Sequence, residues 1–442
     1  MTSIKDELTG VQNAAELIAQ LRRLIVEGRY RSGDRLPSIR EIARQTSLAP
    51  GTVAKAISQL ANEGAVITEG RSGTRILEAR ANKQSRPRLF SMIPNKVAPG
   101  VLDLSNGFPD SRLFIPISAL IDLDLTHFAI NNYLTPPVLD ELSAAIDERF
   151  KVGELSVTIT NGSLDAIDRI VATALAKGSK VAVEDPTFPP LIDILERHAM
   201  ETTPLSMNQE GVTPEALSEA IRGGIKAVIL QLRCHNPKGI TTSTERVNQL
   251  AEVLDGSGVL VIEDDHSGLT RSTDDRTLIS RGDIEVLRVV GFSKLYGPDL
   301  RIAAIIGGKS NIEKLNEDRR LGPSWTSHLI QRLLARLMVH DAATSHNERV
   351  AEIYRSRMAN LIGALQLGDN SLSKDGLNAW IPTTSESAVI ADLARVAVAA
   401  APGSIFNVAP STDHDHLRIT TASLDTVPDS LLEVLNRWIP KN

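Results

Sequence analysis

Two kinds of hydrophobic pattern divide the chain. Residues 14–27 place Leu17, Leu21 and Leu24 at helical spacing with arginines opposite, which predicts an amphipathic helix that ends at Gly28. From residue 101 onward, apolar runs rich in Val and Ile alternate with helical patterns, and this alternation predicts a mostly parallel sheet wrapped by helices. The runs are SVTIT, KVAVED, AVILQL, VLVIEDD, LRVVGF and AAIIGG.

The first part of the chain predicts two further short helices and a hairpin. Ser38, with a glutamate three residues later, forms a capping box and predicts a helix start. Pro50 favours the next helix start, and Val53 and Leu60 fall on the apolar face of that helix. Residues 65–77 form two short strand patterns around a basic, glycine-rich turn. The sequence therefore predicts a small α+β module, a helix-turn-helix followed by a wing.

Charge divides the chain near residue 90, and the length of the chain is consistent with more than one domain. A chain of 442 residues suggests two or three domains. Residues 1–90 carry 15 Lys and Arg against 9 Asp and Glu, whereas the remainder carries 33 against 45. A basic first part favours a nucleic-acid surface, and an acidic remainder fits a small-molecule domain.

Composition excludes several classes of protein. The single cysteine, Cys234, excludes a disulfide framework and a cysteine-based zinc cluster. The chain starts without an apolar leader pattern, and no stretch is apolar enough to cross a membrane. We therefore expect a soluble, cytoplasmic protein without a metal site.

The first module resembles the winged-helix DNA-binding domains of the GntR family. The resemblance rests on Gly33 to Ser38, Arg40 to Ala43, Thr52-Val53 and Gly70 to Thr74. It implies phosphate contacts from the second helix, base reading at the start of the third helix, and a wing that reaches toward the minor groove. The implied DNA-binding residues are Ser38, Arg40, Arg44, Thr52, Lys55 and Arg71. Taken alone, Arg40 and Arg44 would be assigned to a solvated helix face, and it is the surrounding pattern that favours DNA contact; an outward Thr52 or Lys55 fits either interpretation.

Residues 80–100 are typical of a linker between two modules. They contain three prolines and five basic residues, no acidic residue and no periodicity. We therefore predict a DNA-binding domain over residues 1–79, a linker over 80–100 and a ligand-binding domain over 101–442.

Polar residues follow the predicted strands of the large module, at the edge where ligands collect in parallel sheets. A glycine turn opens a helix after SVTIT, an aromatic follows VAVED, and an amide follows AVILQL. An acidic pair ends VLVIEDD, and a serine and a lysine follow RVVGF. Each feature also has an ordinary structural explanation, such as a helix cap, a core phenylalanine or a solvated lysine.

Together these features fit one ligand. A phosphate, a flat ring, a ring nitrogen that needs a carboxylate, a phenolic oxygen and an aldehyde for a lysine all occur in pyridoxal 5'-phosphate (PLP). The order of the elements resembles the fold-type I aminotransferases, which implies a large α/β domain with a small C-terminal α/β subdomain. Joined to the winged helix, the whole chain resembles the MocR subfamily of GntR regulators.

The MocR resemblance implies a role for each residue at the strand ends. Lys294 would form a Schiff base with PLP, Asp264 would pair with the pyridine nitrogen, and Arg418 would bind an effector carboxylate. The other implied cofactor contacts are Asn236 at O3', Phe188 against the ring, Gly162, Ser163, Ser293 and Arg301 at the phosphate, and Tyr133 at a partner subunit's phosphate. The resemblance also implies a homodimer with crossed-over N-terminal domains.

Two positions depart from the usual pattern of the subfamily. His266 occupies the position after the acidic pair where a tyrosine is usual, which leaves the tuning of the Schiff base open. The usual His-Gln-x-Pro turn is replaced by His235-Asn236-Pro237, which is closer to the true aminotransferases.

Three functions remain open at the level of sequence. The first is a PLP-dependent transcriptional regulator that senses an amino compound or a vitamin B6 vitamer. The second is a working aminotransferase that carries a DNA-binding domain, which multiple-turnover transamination would reveal. The third is a repressor whose second domain is a cofactor-free relic. The complete set of strand-end residues argues against the third.

Overall fold

The computed structural model describes two compact units, residues 1–86 and 87–442. The described residues are 11, 13–26, 34–46, 48–62, 66–68, 73–76, 88, 98–116, 133, 135–267, 276–365, 375–409 and 415–440. Most of the predicted linker lies outside them. Within it, Arg88 is described, and its backbone N–H donates to Asp193 Oδ2 at 2.9 Å in the second unit.

The first unit has the helices and the hairpin that the sequence predicts. Its elements are α1 (Ala14–Val26), α2 (Ile39–Thr46), α3 (Pro50–Asn62), β1 (Val66–Thr68) and β2 (Thr74–Ile76). The Oγ of Ser38 accepts the backbone N–H of Glu41 at 3.3 Å, so Ser38 caps α2 as predicted. Leu17, Leu21 and Leu60 are fully buried between the helices. The two strands pair antiparallel.

An eight-stranded sheet forms the centre of the second unit, in the order β4-β11-β10-β9-β8-β5-β6-β7. These strands are β4 (Ser156–Thr160), β5 (Lys180–Asp185), β6 (Glu201–Asn208), β7 (Gly211–Val212), β8 (Ala227–Leu230), β9 (Leu260–Asp265), β10 (Val286–Gly291) and β11 (Ala303–Gly307). Strands β10, β9, β8, β5 and β6 are parallel, which confirms the predicted sheet. Strand β11, the AAIIGG run, is antiparallel to both neighbours.

Helices cover both faces of this sheet because its strands are apolar on both sides. The helices of the unit are α4 (Asp140–Phe150), α5 (Ser163–Ala174), α6 (Pro189–Arg197), α7 (Pro214–Arg222), α8 (Thr244–Leu254), α9 (Ser293–Tyr296), α10 (Lys309–Arg319), α11 (His328–Val339), α12 (Asp341–Leu365), α13 (Glu386–Arg395) and α14 (Asp429–Trp438). Apolar residues of α5, α6 and α10 pack with Val183 and Ile229, whereas those of α7 and α8 pack with Ala182 and Val228. No helix among the described residues is long and apolar enough to span a bilayer.

A second, four-stranded sheet forms the small C-terminal subdomain that the resemblance implies. Its order is β12-β14-β13-β3, with β3 (Leu102–Leu104), β12 (Asn378–Thr383), β13 (Val398–Pro402) and β14 (Asp415–Thr420). Strand β3 comes from the start of the unit and pairs parallel with β13. This long-range pairing brings the residues after β3 to the subdomain that carries Arg418.

Candidate functional site

Strand register brings the predicted cofactor residues to one edge of the large sheet. Thr160 at the end of β4 faces Ala303 at the start of β11, and Ala303 faces Gly291 at the end of β10. The residues that follow β4 and β10 and those that precede β11 therefore lie together. Asp264 lies beside Val289 at the same edge. The antiparallel direction of β11 explains why Arg301 reaches this edge although it precedes its strand.

A concave turn joins β4 to α5. Gly162 has φ of +101°, and a Cβ there would come within 3.3 Å of Arg301 Nη2. Arg301 Nη2 also donates to the backbone oxygen of Asn161 at 3.2 Å. Ser163 begins α5 near Gly291, and Ser293 begins α9. A guanidinium next to a glycine turn at a helix N-terminus suits a phosphate-sized anion, so this turn fits the predicted phosphate contacts.

Asp264 presents one unused carboxylate oxygen. Its side chain is buried, and Oδ2 accepts a hydrogen bond from Gln231 Nε2 at 2.6 Å. The buried Oδ1 has no hydrogen-bond partner among the described residues. Burial raises the pKa of Asp264 to about 6, whereas the Gln231 hydrogen bond and the charge of Lys294 oppose the shift. An unpaired, buried carboxylate oxygen fits a ligand that brings its own N–H.

Lys294 is a half-buried amine in a site that favours its neutral form. Its Nζ donates to the backbone oxygen of Gly107 at 3.2 Å. Burial lowers the pKa of Lys294 to about 8, with a further contribution from the charge of Arg418, while Asp264 acts in the opposite direction. A lowered pKa increases the fraction of neutral amine, which is the form of lysine that condenses with aldehydes.

Arg418 on β14 is fully buried, and no ion pair joins it to a carboxylate within the described ranges. Its Nη1 donates to Asn236 Oδ1 at 3.2 Å, and Nη2 donates to the backbone oxygen of Ser105. The guanidinium carbon lies 4.8 Å from the centre of the Phe406 ring. Burial lowers the pKa of Arg418 to about 9. This arrangement fits the predicted binding of an effector carboxylate, because the hydrogen bonds of the guanidinium go to neutral oxygens and, of the described groups, only the charge of Asp103 opposes the effect of burial.

A cavity opens beside Lys294. Its lining includes Cys234, Asn236, His266, Tyr354 and Asn378. Burial and then the charge of Lys294 lower the pKa of His266 to about 3, so its ring is neutral. His266 Nδ1 has no hydrogen-bond partner among the residues that the structure describes. A neutral imidazole therefore lines the cavity where the subfamily usually has a tyrosine.

Two further predicted cofactor contacts, Phe188 and Tyr133, are aromatic side chains. Phe188 precedes α6 and packs against the apolar cluster of Trp380 and Phe406, so part of its ring belongs to the core. Tyr133 is 92% exposed, and its ring centre lies 6.3 Å from that of Trp325. Phe188 thus lies near the Phe406 ring that contacts Arg418, whereas Tyr133 lies at the surface of the unit.

Four of the six predicted DNA contacts lie on α2 and α3. Arg40 and Arg44 are exposed on α2, and Arg44 Nη2 lies 3.5 Å from Glu41 Oε1. On α3, Lys55 is exposed and Thr52 is half-buried. The capping bond of Ser38 gives this residue a structural role as well. Arg71 lies outside the described residues.

Sequence reasoning missed Gln231, the partner of Asp264. The run AVILQL counted Gln231 as part of a strand, but β8 ends at Leu230. Gln231 is therefore the first residue after the strand, a position where polar side chains carry chemistry. If the predicted strand had ended at Leu230, Gln231 would have been recognised as a polar residue at the strand end. Gly107 and Ser105 were also missed, because their contacts use backbone oxygens that no sequence pattern indicates.

Comparison with known proteins agrees with the two-part architecture. The family model of class I and II aminotransferases matches residues 100–432, and that of the gntR family of bacterial regulatory proteins matches residues 13–76. The gntR match implies that the first unit binds DNA.

Curated relatives and solved structures share this architecture in whole or in part. The vitamin B6 salvage pathway transcriptional repressor PtsJ of Salmonella typhimurium is 32% identical over 96% of this chain and 99% of its own. The HTH-type pyridoxine biosynthesis transcriptional regulator PdxR of Corynebacterium glutamicum is 23% identical over 77% of this chain and 76% of its own. The structure of LysN, α-aminoadipate aminotransferase of Thermus thermophilus, shares the fold at 22% identity and a TM-score of 0.64, over 80% of this chain and 96% of its own.

The site geometry, the two family matches and the nearly full-length relative agree with the resemblance seen in the sequence. This chain belongs to the MocR subfamily of GntR-type transcriptional regulators, which join a winged helix to an aminotransferase-like domain.

Proposed function

We propose that this chain is a PLP-dependent transcriptional regulator that binds the cofactor at Lys294 and adjusts its affinity for an operator in response to a vitamin B6 vitamer. The observation that carries the proposal is the unpaired Oδ1 of buried Asp264 at the same sheet edge as Lys294 and the Gly162 turn. These groups complement a pyridinium N–H, an aldehyde and a phosphate.

Each side chain of the site has a role in this proposal. Lys294 supplies the amine that condenses with the aldehyde of PLP. Asp264 holds the proton of the ring nitrogen, Asn236 donates to the ring oxygen O3', and Gly162, Ser163, Ser293 and Arg301 hold the phosphate. Phe188 and His266 border the ring. Arg418 is reserved for a carboxylate, so an amino acid is the second class of effector to test.

The relatives favour a vitamer over other amines as the effector. PtsJ and PdxR are named for B6 salvage and pyridoxine biosynthesis, respectively. A vitamer also occupies the cofactor site itself, so it requires no second pocket. A ligand shifts an equilibrium between two conformations only if it binds them with different affinities. A vitamer aldehyde can bond to Lys294 only in a conformation whose cofactor site is complete, so it meets this condition.

Operator binding by the full chain tests the regulatory function. We expect addition of PLP to change operator affinity at fixed salt, and amino acids without PLP to have no effect. The double change Arg40→Ala/Arg44→Ala should weaken binding to all sequences and reduce the salt slope by about two, one for each phosphate that is no longer neutralised. The measurement is fluorescence anisotropy with labelled operator at several salt concentrations.

The matched control is Arg395→Ala/Arg437→Ala, which removes the same charge from exposed positions of the second unit. An equal loss of affinity in this control would show that net charge, and not the α2 surface, determines DNA binding. Operator affinity that does not respond to any vitamer or amino acid would contradict the regulatory proposal.

We also propose a homodimer with crossed-over N-terminal units. Tyr133, Leu321 and Leu329 are 92%, 94% and 48% exposed, and the Tyr133 ring centre lies 6.3 Å from that of Trp325, between the two leucines in sequence, so we place the interface on this part of the surface. Sedimentation velocity should give the mass of two chains, and Leu321→Asp/Leu329→Asp should give monomers. A dimer that this double variant leaves intact would place the interface elsewhere.

A further inference from the structure

Gln231 links the two residues that would contact the ring nitrogen and the ring oxygen O3' of the cofactor. Its Nε2 donates to Asp264 Oδ2 at 2.6 Å, and its Oε1 accepts the backbone N–H of Asn236 at 2.9 Å. Only 2% of the residue is exposed, so water does not compete for these bonds. Each end of the amide thus has one fixed partner, and this fixes the orientation of the amide.

The backbone of Gln231 serves a second buried carboxylate. Its N–H donates to Glu184 Oε2 at 2.9 Å, and this oxygen lies 3.4 Å from His235 Nε2. Glu184 and Asp264 are 2% and 3% exposed. Burial and the charge of Glu184 raise the pKa of Asp264, so Asp264 needs a donor to remain ionised, and the hydrogen bond from Gln231 opposes the shift. Gln231 supplies one hydrogen bond to each carboxylate.

We propose that Gln231 is a positioning residue for the cofactor, which keeps Asp264 ionised with Oδ1 directed at the ring nitrogen and holds Asn236 at the ring oxygen. This inference rests on the proposed binding of PLP and adds a residue that touches neither the cofactor nor the effector. The physical reason is the shared amide: one side chain fixes the distance between the two contacts. Removing it leaves Asp264 Oδ2 and the Asn236 N–H without these partners.

Loss of the Gln231 amide should change the protonation of the cofactor's ring nitrogen. A carboxylate without its hydrogen bond becomes more basic, so it takes the proton that it otherwise shares with the ring nitrogen. In Gln231→Met, whose side chain has a similar length, we therefore expect the bound ring to lose its N–H. Loss of one hydrogen bond to a charged group should also weaken PLP binding by roughly tenfold or more.

The test is titration of the full-length apoprotein with PLP labelled with ¹⁵N in the ring. The dissociation constant comes from protein fluorescence, and the ¹⁵N resonance reports whether the ring nitrogen carries a proton. The expected result for Gln231→Met is weaker binding together with a resonance at the unprotonated position. Gln331→Met is the matched control, because Gln331 is fully buried and donates only to backbone oxygens, those of Pro137 and Thr326. It should lose thermal stability but keep the protonated resonance.

A second variant keeps the inference testable if Gln231→Met folds poorly. Gln231→Glu can donate to Asp264 only while the new carboxyl is protonated. Its PLP affinity should therefore fall as pH rises from 6 to 8, a range over which the unmodified protein gains binding as Lys294 loses its proton. Identical ring resonances and affinities for Gln231→Met and Gln331→Met would overturn this inference alone. Failure of the unmodified protein to bind PLP would overturn the proposed function and this inference with it.

Discussion

Lys294→Ala is expected to abolish covalent attachment of PLP and the response of operator binding to PLP. The phosphate turn and Asp264 remain in the variant, so PLP should still bind reversibly, but without the visible absorbance band of a Schiff base. Operator binding in the absence of PLP should not change, because the first unit is intact. Absorbance spectroscopy and anisotropy on the same samples check both parts of the result.

The pH dependence of attachment in the unmodified protein follows from the same amine. Burial lowers the pKa of Lys294 to about 8, so the neutral, nucleophilic fraction grows as pH rises and levels off above 8. The rate of band formation should follow this curve. Lys309→Ala is the control, since Lys309 is 78% exposed on α10. A Schiff-base band that persists in Lys294→Ala would assign the attachment to another lysine.

Asp264→Asn is expected to weaken PLP binding while leaving attachment at Lys294 possible. The variant keeps the shape of the side chain but removes the negative charge that faces the ring nitrogen. A hydrogen bond between charged groups contributes about 1.5–3 kcal/mol, which corresponds to roughly 10- to 100-fold in affinity. The dissociation constant from protein fluorescence measures this loss directly.

Lowering the pH should weaken PLP binding to the unmodified protein in the same way as Asp264→Asn does. Burial raises the pKa of Asp264 from 3.8 to about 6, so its charge is present above pH 6 and lost below it. PLP affinity should therefore fall below pH 6 more steeply in the unmodified protein than in Asp264→Asn. Asp168→Asn is the control, because Asp168 is a half-buried carboxylate of α5 that pairs with His198, the residue after α6, at 2.6 Å. Equal affinities for Asp264→Asn and Asp168→Asn would exclude a role for Asp264 at the ring.

Sequence alone was sufficient to predict the local elements and to propose most residues of the candidate site. The helices of the first unit follow from apolar spacing, the cap at Ser38 and the proline at position 50, all of which act within one or two turns. Lys294, Asp264 and Gly162 could be selected because each lies at the end of a predicted strand or within two residues of it, and parallel strands end at a common edge. The division at residues 79 and 80 stays a prediction, and the compact units divide at residue 86.

Tertiary structure decided which groups meet at that edge. Gln231, Gly107 and Ser105 became recognisable only when strand ends and long-range contacts were fixed, since two of the three act through backbone oxygens. The antiparallel direction of β11 and the pairing of β3 with β13 depend on residues far apart in the chain, about which local periodicity holds no information. The environment of Arg418 also depends on contacts between distant parts of the chain. Arg418 is fully buried because the small sheet packs against the segment after β3. Within the described residues, its hydrogen bonds go to Asn236 and Ser105, and no ion pair joins it to a carboxylate.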